Sequence, residues 1–149
     1  MDKDLSSERS ALLREDFHQG FVKHCGIRLV ALERGRGESR LEITENHSQQ
    51  DRFVHAGVMA TMADHTAGYA GFSMVPEDRR ILTMEFKINY LRPVAGSSLV
   101  CRSRVIKEGR KVLVAESEIY DLRDGTEKLV AKALVTLMAV RAERMRNEK

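Results

Sequence analysis

The chain has 149 residues, of which 42% are hydrophobic and 32% charged, the composition of one globular domain with its own core. Its net charge of +3 lacks the dense basic stripe of a nucleic-acid binder, and no apolar run approaches the ~18 residues that cross a bilayer. The polar start MDKDLSSERSALLRED is unlike a signal peptide, and Cys25 and Cys101 show no metal-type spacing. The expectation is therefore a cytoplasmic protein with two reduced thiols, no metal and no separate cofactor.

Taken in order, the chain reads as follows. Ser6 or Ser7 caps a first helix that runs to about His24 and is broken by Gly26. IRLVALE and ESRLEIT flank the turn RGRG and form a strand pair. After the polar loop ENHSQQDR comes FVHAGVMATMADHTAGYAG, a helix that ends before Pro76. RILTMEFKINYL then alternates, with Leu82, Met84, Phe86, Ile88 and Tyr90 on a core face and Thr83, Glu85, Lys87 and Asn89 opposite.

Pro93 and Gly96 mark a turn. SLVCRSRVI and KVLVAESEIYD are joined by KEGR, and KLVAKALVTLMAV is reached through Asp124-Gly125, a strong hairpin signal. The segment 141–149 is a charged, solvated tail. The whole is one domain, 1–149, with residues 1–25 as an added N-terminal helix. A long apolar helix lying on a curled antiparallel sheet gives an α+β fold.

The central helix raises a chemical question. At about 100° per residue, Met59, Met62, Ala63, Thr66, Tyr69 and Ala70 share one side, suited to packing on a sheet. Gly57, Ala60, Thr61, Asp64, Ala67, Gly68 and Gly71 share the other, where Asp64 is an acid among small neighbours. A carboxylate there has to be paired, solvated by a pocket, or functional. His55 lies nine residues earlier, about 13.5 Å away and on roughly the opposite side, so a site using both takes them from two chains. The first N–H groups of the helix, at Ala56 and Gly57, lie at the positive end of its dipole and suit a developing oxyanion.

VHAGVMATMAD, LTMEFKINYLRPV and VIKEGRKVLVAESEIYD, in that order and spacing, resemble the PaaI-type branch of the hotdog-fold acyl-CoA thioesterases. The likeness runs from about Gly26 to Val140. It implies a long central helix wrapped by a curved antiparallel sheet. It also implies a homodimer, commonly paired into a homotetramer, that hydrolyses an acyl-CoA thioester at a site shared between subunits.

By position, the resemblance makes Asp64 the general base or nucleophile, His55 the histidine near the helix start, and Ala56 the residue whose N–H polarises the thioester carbonyl. Thr83 matches a small hydroxyl residue near the water. Two departures stand out: HAG replaces the family's HGG, and Gln49 stands where an asparagine is frequent, six residues before the histidine. Arg92, Lys107, Arg110 and Lys111 are candidates for the coenzyme phosphates. His65 points elsewhere on the wheel and reads as structural.

Aryl and medium aliphatic acyl groups both suit a pocket of methionine and small residues. Two alternatives remain. One is a hotdog module that binds acyl-CoA without turnover. The other is a hydratase or dehydratase, for which DRFVH is a poor match because it lacks the N-P step and is one residue short.

Overall fold

The computed structural model describes residues 4–147. The expected single N-terminal helix is two. Helix α1 (Ser7–Phe17) is capped by Ser6, whose side chain accepts from Arg9 N–H, and α2 (Gly20–Cys25) ends at Gly26 in the left-handed conformation. One contact within α1 and one to Leu29 hold the break. His18 Nδ1–H donates to the Arg14 carbonyl (2.6 Å), while Nε2 accepts from Leu29 N–H (3.0 Å). Gly20, at φ +54°, takes the bend that follows.

Strands β1 (Arg28–Glu33) and β2 (Arg36–Glu42) pair across a turn holding Gly35 at φ +74°. A 3-10 turn at Glu45–His47 leads to α3 (Ala56–Phe72). Then come β3 (Arg79–Tyr90), β4 (Ser98–Glu108), β5 (Val112–Arg123) and β6 (Thr126–Arg141). Asp124 and Gly125 both take positive φ, as the Asp-Gly hairpin requires. The charged tail has no buried residue over 141–147, as a solvated end requires, but it is not structureless: it closes β6 at Arg141 and forms a short helix, α4 (Ala142–Asn147); residues 148–149 lie outside the described residues. No described helix is long and apolar enough to cross a membrane.

The six strands form one antiparallel sheet in the order β1-β2-β4-β5-β6-β3, and α3 lies against all six. This is the α+β hotdog layout that the resemblance implies. Met62, Ala63, Ala67 and Ala70 of α3 are fully buried against Leu99, Leu113, Ile119 and Leu137 of the sheet. Each large apolar side chain so buried contributes about 1.5–3 kcal/mol. The expected small face of the helix is only partly open. Ala67 is sealed, and Gly71 sits where an added methyl would come within 2.8 Å of Leu137.

Beneath the helix, Ser117 Oγ donates to the Ala63 carbonyl (2.8 Å) and shares a hydrogen bond with Ser103 Oγ (2.6 Å), while Ser39 Oγ meets Thr66 Oγ1 (2.7 Å). These buried hydroxyls are satisfied by one another and by the helix backbone, so they fix the rotation of α3 about its axis.

Strand β3 departs from strict alternation. Its pairing with β6 shifts register between Thr83 and Glu85, leaving Met84 as a bulge. The extra residue reverses the facing of everything after it. Ile81 and Thr83 therefore share the helix side with Phe86, Ile88 and Tyr90, whereas a regular strand would have put Thr83 opposite them. The expected core face is also incomplete, since Leu82, Met84, Phe86 and Tyr90 remain 40–56% exposed. β3 is an edge strand with β6 on one side only.

Candidate active site

Asp64 lies midway along α3 and is half-buried. Thr83 Oγ1–H donates to its Oδ1 at 2.7 Å, and among the described residues no cation pairs with it. The β3 bulge makes this contact, because without it the threonine would face away. Two clefts flank the carboxylate. One, of about 450 Å³, is lined by Gln19, Phe21, Val22, Ala60, Thr61, His65 and Phe86 together with Asp64. The other, of about 250 Å³, is lined among others by Asp16, Tyr69, Arg80, Thr83 and Met145.

Next to Asp64, His65 donates from Nε2 to the Phe17 carbonyl (3.1 Å) and stacks edge-on against the Phe17 ring. Burial lowers its pKa, so the ring stays neutral at neutral pH. It is a brace for α1, in keeping with the structural role read from the sequence. Tyr69 does similar work, donating from its hydroxyl to Asp16 Oδ2 (2.8 Å); burial, then that contact, raise its pKa and keep it a phenol.

The start of α3 forms a separate cleft of about 510 Å³, lined among others by Gln49, Phe53, His55, Ala56, Tyr90 and Arg92. His55 is the N-cap, and its Nδ1 accepts from Gly57 N–H at 2.8 Å. Two consequences follow. The proton of the neutral imidazole resides on Nε2, which makes that edge a donor. Gly57 N–H is already engaged, so the expected pair of oxyanion amides reduces to one: Ala56 N–H has no acceptor among the described residues.

A side chain at position 57 would press on the capping ring at 2.9 Å, which accounts for the glycine. The alanine of HAG is an ordinary helical residue, the first of α3, and needs no glycine. Gln49 Oε1 accepts from Asp51 N–H and closes the loop ahead of the helix, leaving its amide NH2 as a donor. Tyr90 O–H donates to the Ala56 carbonyl (3.1 Å), and burial raises its pKa and holds it in the donor form.

Within one chain, the structure brings Gln49, His55, Ala56 and Arg92 to one cleft and Asp64 with Thr83 to the smaller of the two mid-helix clefts, while Asp64 also lines the larger. The coenzyme candidates divide in the same way. Arg92 lines the cleft at the helix start and donates to the Leu129 carbonyl (2.7 Å). Lys107, Arg110 and Lys111 belong to the β4–β5 hairpin at the far end of the sheet, where Val112 pairs with Met138 and Met138 with Leu82. They line none of the three clefts beside α3.

Sequence reasoning did not find Tyr90, Phe86, Gln19 or Phe21 as cleft residues. Only the last two carried any signal, as polar and apolar neighbours of a helix break at Gly20 that was itself unread.

The architecture is that of a known superfamily. A family model for the thioesterase superfamily matches residues 52–128, which include all of α3, β3 and β4 and run into β6. The chain belongs to the thioesterase superfamily, and so to the thioester hydrolases of hotdog fold. It is similar to a crystal structure of a thioesterase family protein from Silicibacter pomeroyi, at 36% identity and a TM-score of 0.86, covering 89% of this chain and 98% of that one. A 1,4-dihydroxy-2-naphthoyl-CoA hydrolase of Listeria monocytogenes is 28% identical over 125 residues, 84% of this chain and 98% of the relative. A medium/long-chain acyl-CoA thioesterase of Salmonella typhimurium is 25% identical over 139 residues, 82% of this chain and 86% of the relative.

Proposed function

We propose that the protein hydrolyses acyl-CoA thioesters at a site completed by two copies of the chain. Asp64 of one subunit acts as the base that activates water, or as the nucleophile, and the helix start of the other receives the oxyanion. The observation that carries this reading is the division of chemistry along α3. A carboxylate held by a single hydroxyl sits in one cleft, and a free helix-terminal N–H with two side-chain donors sits in another, too far along the same helix to serve one carbonyl within a chain.

The seam follows the free edge of β3, where Leu82 and Met84 stand 43% and 56% exposed on a strand whose outer edge has no partner among the described residues. Such an edge is a template for pairing with another chain. Pairing two copies there brings each Asp64 toward the partner's helix start.

The chemistry asks for little more than these groups. A thiol with pKa near about 8.5 leaves as the thiolate without a general acid. Water attack, or attack by the carboxylate followed by hydrolysis of the anhydride, requires a base or nucleophile and stabilisation of charge on the carbonyl oxygen. Thr83 orients Asp64 by donating to Oδ1, which leaves Oδ2 for the water. Ala56 N–H meets the oxyanion, with Gln49 and the Nε2–H of His55 as further donors on that side. Arg92 meets a coenzyme phosphate, and the hairpin cations Lys107, Arg110 and Lys111 serve the same anion from the other subunit. Aryl and medium-chain acyl groups are the substrates of choice.

The test is release of free thiol from a panel of acyl-CoAs by the wild-type protein and by Asp64→Asn. Turnover that survives this substitution near the wild-type rate overturns the assignment.

A further inference from the structure

The two clefts beside Asp64 differ in character, and the difference concerns the N-terminal helices. The smaller holds the Asp16 carboxylate and the Arg80 guanidinium, which suit water or a polar group. The larger has Asp64 as its only carboxylate and no lysine or arginine; its remaining walls include Phe21 from α2, Phe86 from β3 and Ala60 from α3. Phe21 is 66% exposed and Phe86 is 40% exposed, so both rings present apolar surface to whatever enters. At about 450 Å³ the cleft lies within the range that takes small-molecule groups.

Phe21 is held at this place by a built elbow. Tyr69 O–H donates to one oxygen of Asp16 (2.8 Å) and Gln19 Nε2–H to the other (3.0 Å), which ties the α1–α2 connection to α3. His18 is pinned at both ring nitrogens, and Gly20 turns the chain so that α2 starts at the cleft.

We infer that the α1–α2 elbow selects the acyl group, with Phe21 as the specificity-determining residue: it forms with Phe86 an apolar slot beside Asp64 that favours an uncharged acyl chain of medium length over acetyl or a carboxylated acyl group. This rests on the thioesterase reading of Asp64. A medium acyl chain removes its own apolar surface and that of the two rings from water, whereas acetyl is too short to cover them. A carboxylated chain brings a second negative charge beside Asp64 without a cation in the slot.

The experiment compares kcat/KM for acetyl-, octanoyl- and succinyl-CoA in the wild type, Phe21→Ser and Phe21→Leu, and measures binding of a non-hydrolysable octanoyl-CoA thioether to each. In the wild type, octanoyl-CoA is expected to lead. The octanoyl-to-acetyl ratio is expected to fall about ten-fold or more in Phe21→Ser, as the loss of a ring's burial implies, and less in Phe21→Leu. Binding of the thioether is expected to weaken in the same order.

A ratio that does not move in Phe21→Ser, with turnover still dependent on Asp64, overturns the selector and leaves the thioesterase reading in place. Thioether binding that depends on Phe21 in a protein with no turnover of any thioester supports the slot and removes the catalytic reading. Phe21 is mostly exposed, and matching circular dichroism spectra and melting temperatures for the variants separate a selectivity effect from misfolding.

Discussion

The cleft at the start of α3 and the larger cleft at its middle are built on one helix but are chemical opposites. The first collects donors: an unengaged backbone N–H at Ala56, the amide of Gln49 and the Nε2–H edge of His55, with Arg92 nearby. No carboxylate lines it. The second presents an acceptor, Asp64, with Thr83 as its hydrogen-bond donor and Phe21, Val22, Ala60 and Phe86 as the apolar part of its walls. A thioester hydrolase needs both kinds of group at one carbonyl. The contrast is that one chain keeps an acceptor and a set of donors apart on the same helix; in the proposed shared site, the half missing from each cleft is supplied by a second chain.

The largest effects are expected from disabling each half separately. Asp64→Asn keeps an acceptor for the Thr83 hydroxyl but removes the base, and kcat/KM is expected to fall about 10²–10⁴-fold with little change in melting temperature. Ala56→Pro deletes the N–H at the first position of the helix, where proline is well tolerated, and His55 already has the extended backbone that precedes proline (φ −60°, ψ 135°). The expected loss is about 10²–10³-fold with the fold intact, checked by thiol-release kinetics and circular dichroism.

Mixing the two dead proteins then asks whether the halves meet across chains. After subunit exchange at equal amounts, half of the dimers are mixed and one of their two sites is whole, so activity is expected to recover to about a quarter of wild type. No recovery despite proven exchange overturns the shared site.

A smaller effect is expected from Thr83→Val, which preserves shape on the β3 bulge and removes the hydroxyl donor: about a ten-fold loss in kcat with KM nearly unchanged. The smallest concerns His65, which separates the mid-helix cleft from α1. Its pKa is lowered in the folded state, chiefly by burial, so the unfolded chain takes up a proton first as pH falls. The sign is therefore a loss of stability on acidification, beginning near the ordinary histidine value of about 6.5 and complete once pH is below the lowered folded value. Thermal melts across this window are expected to be less pH-dependent in His65→Gln than in the wild type.

Much of the molecule was legible along the chain. Strand and helix periods, the Asp-Gly hairpin and the Gly26 stop are local signals, written in side-chain spacing and backbone preference, and they placed α3 and the four later strands. Asp64 stood out because a charge on an apolar helix contradicts its surroundings, and that contradiction is visible without coordinates. The separation of His55 from Asp64 along and around the helix also follows from helical geometry alone.

Other features were decided only by tertiary contact. The bend between α1 and α2 depends on His18 reaching Leu29 N–H, eleven residues away, and so cannot be read from helix propensity. The bulge at Met84 is set by pairing with β6, and a one-residue shift turns Thr83 onto the face that meets Asp64. The sealing of Ala67 and Gly71 depends on which side of α3 the sheet wraps. The engagement of Gly57 N–H by its own N-cap leaves Ala56 N–H as the one of these two amides without an acceptor among the described residues. The physical division is that periodicity and propensity act within a few residues, while register, capping partners and cleft walls depend on atoms brought together from distant parts of the chain.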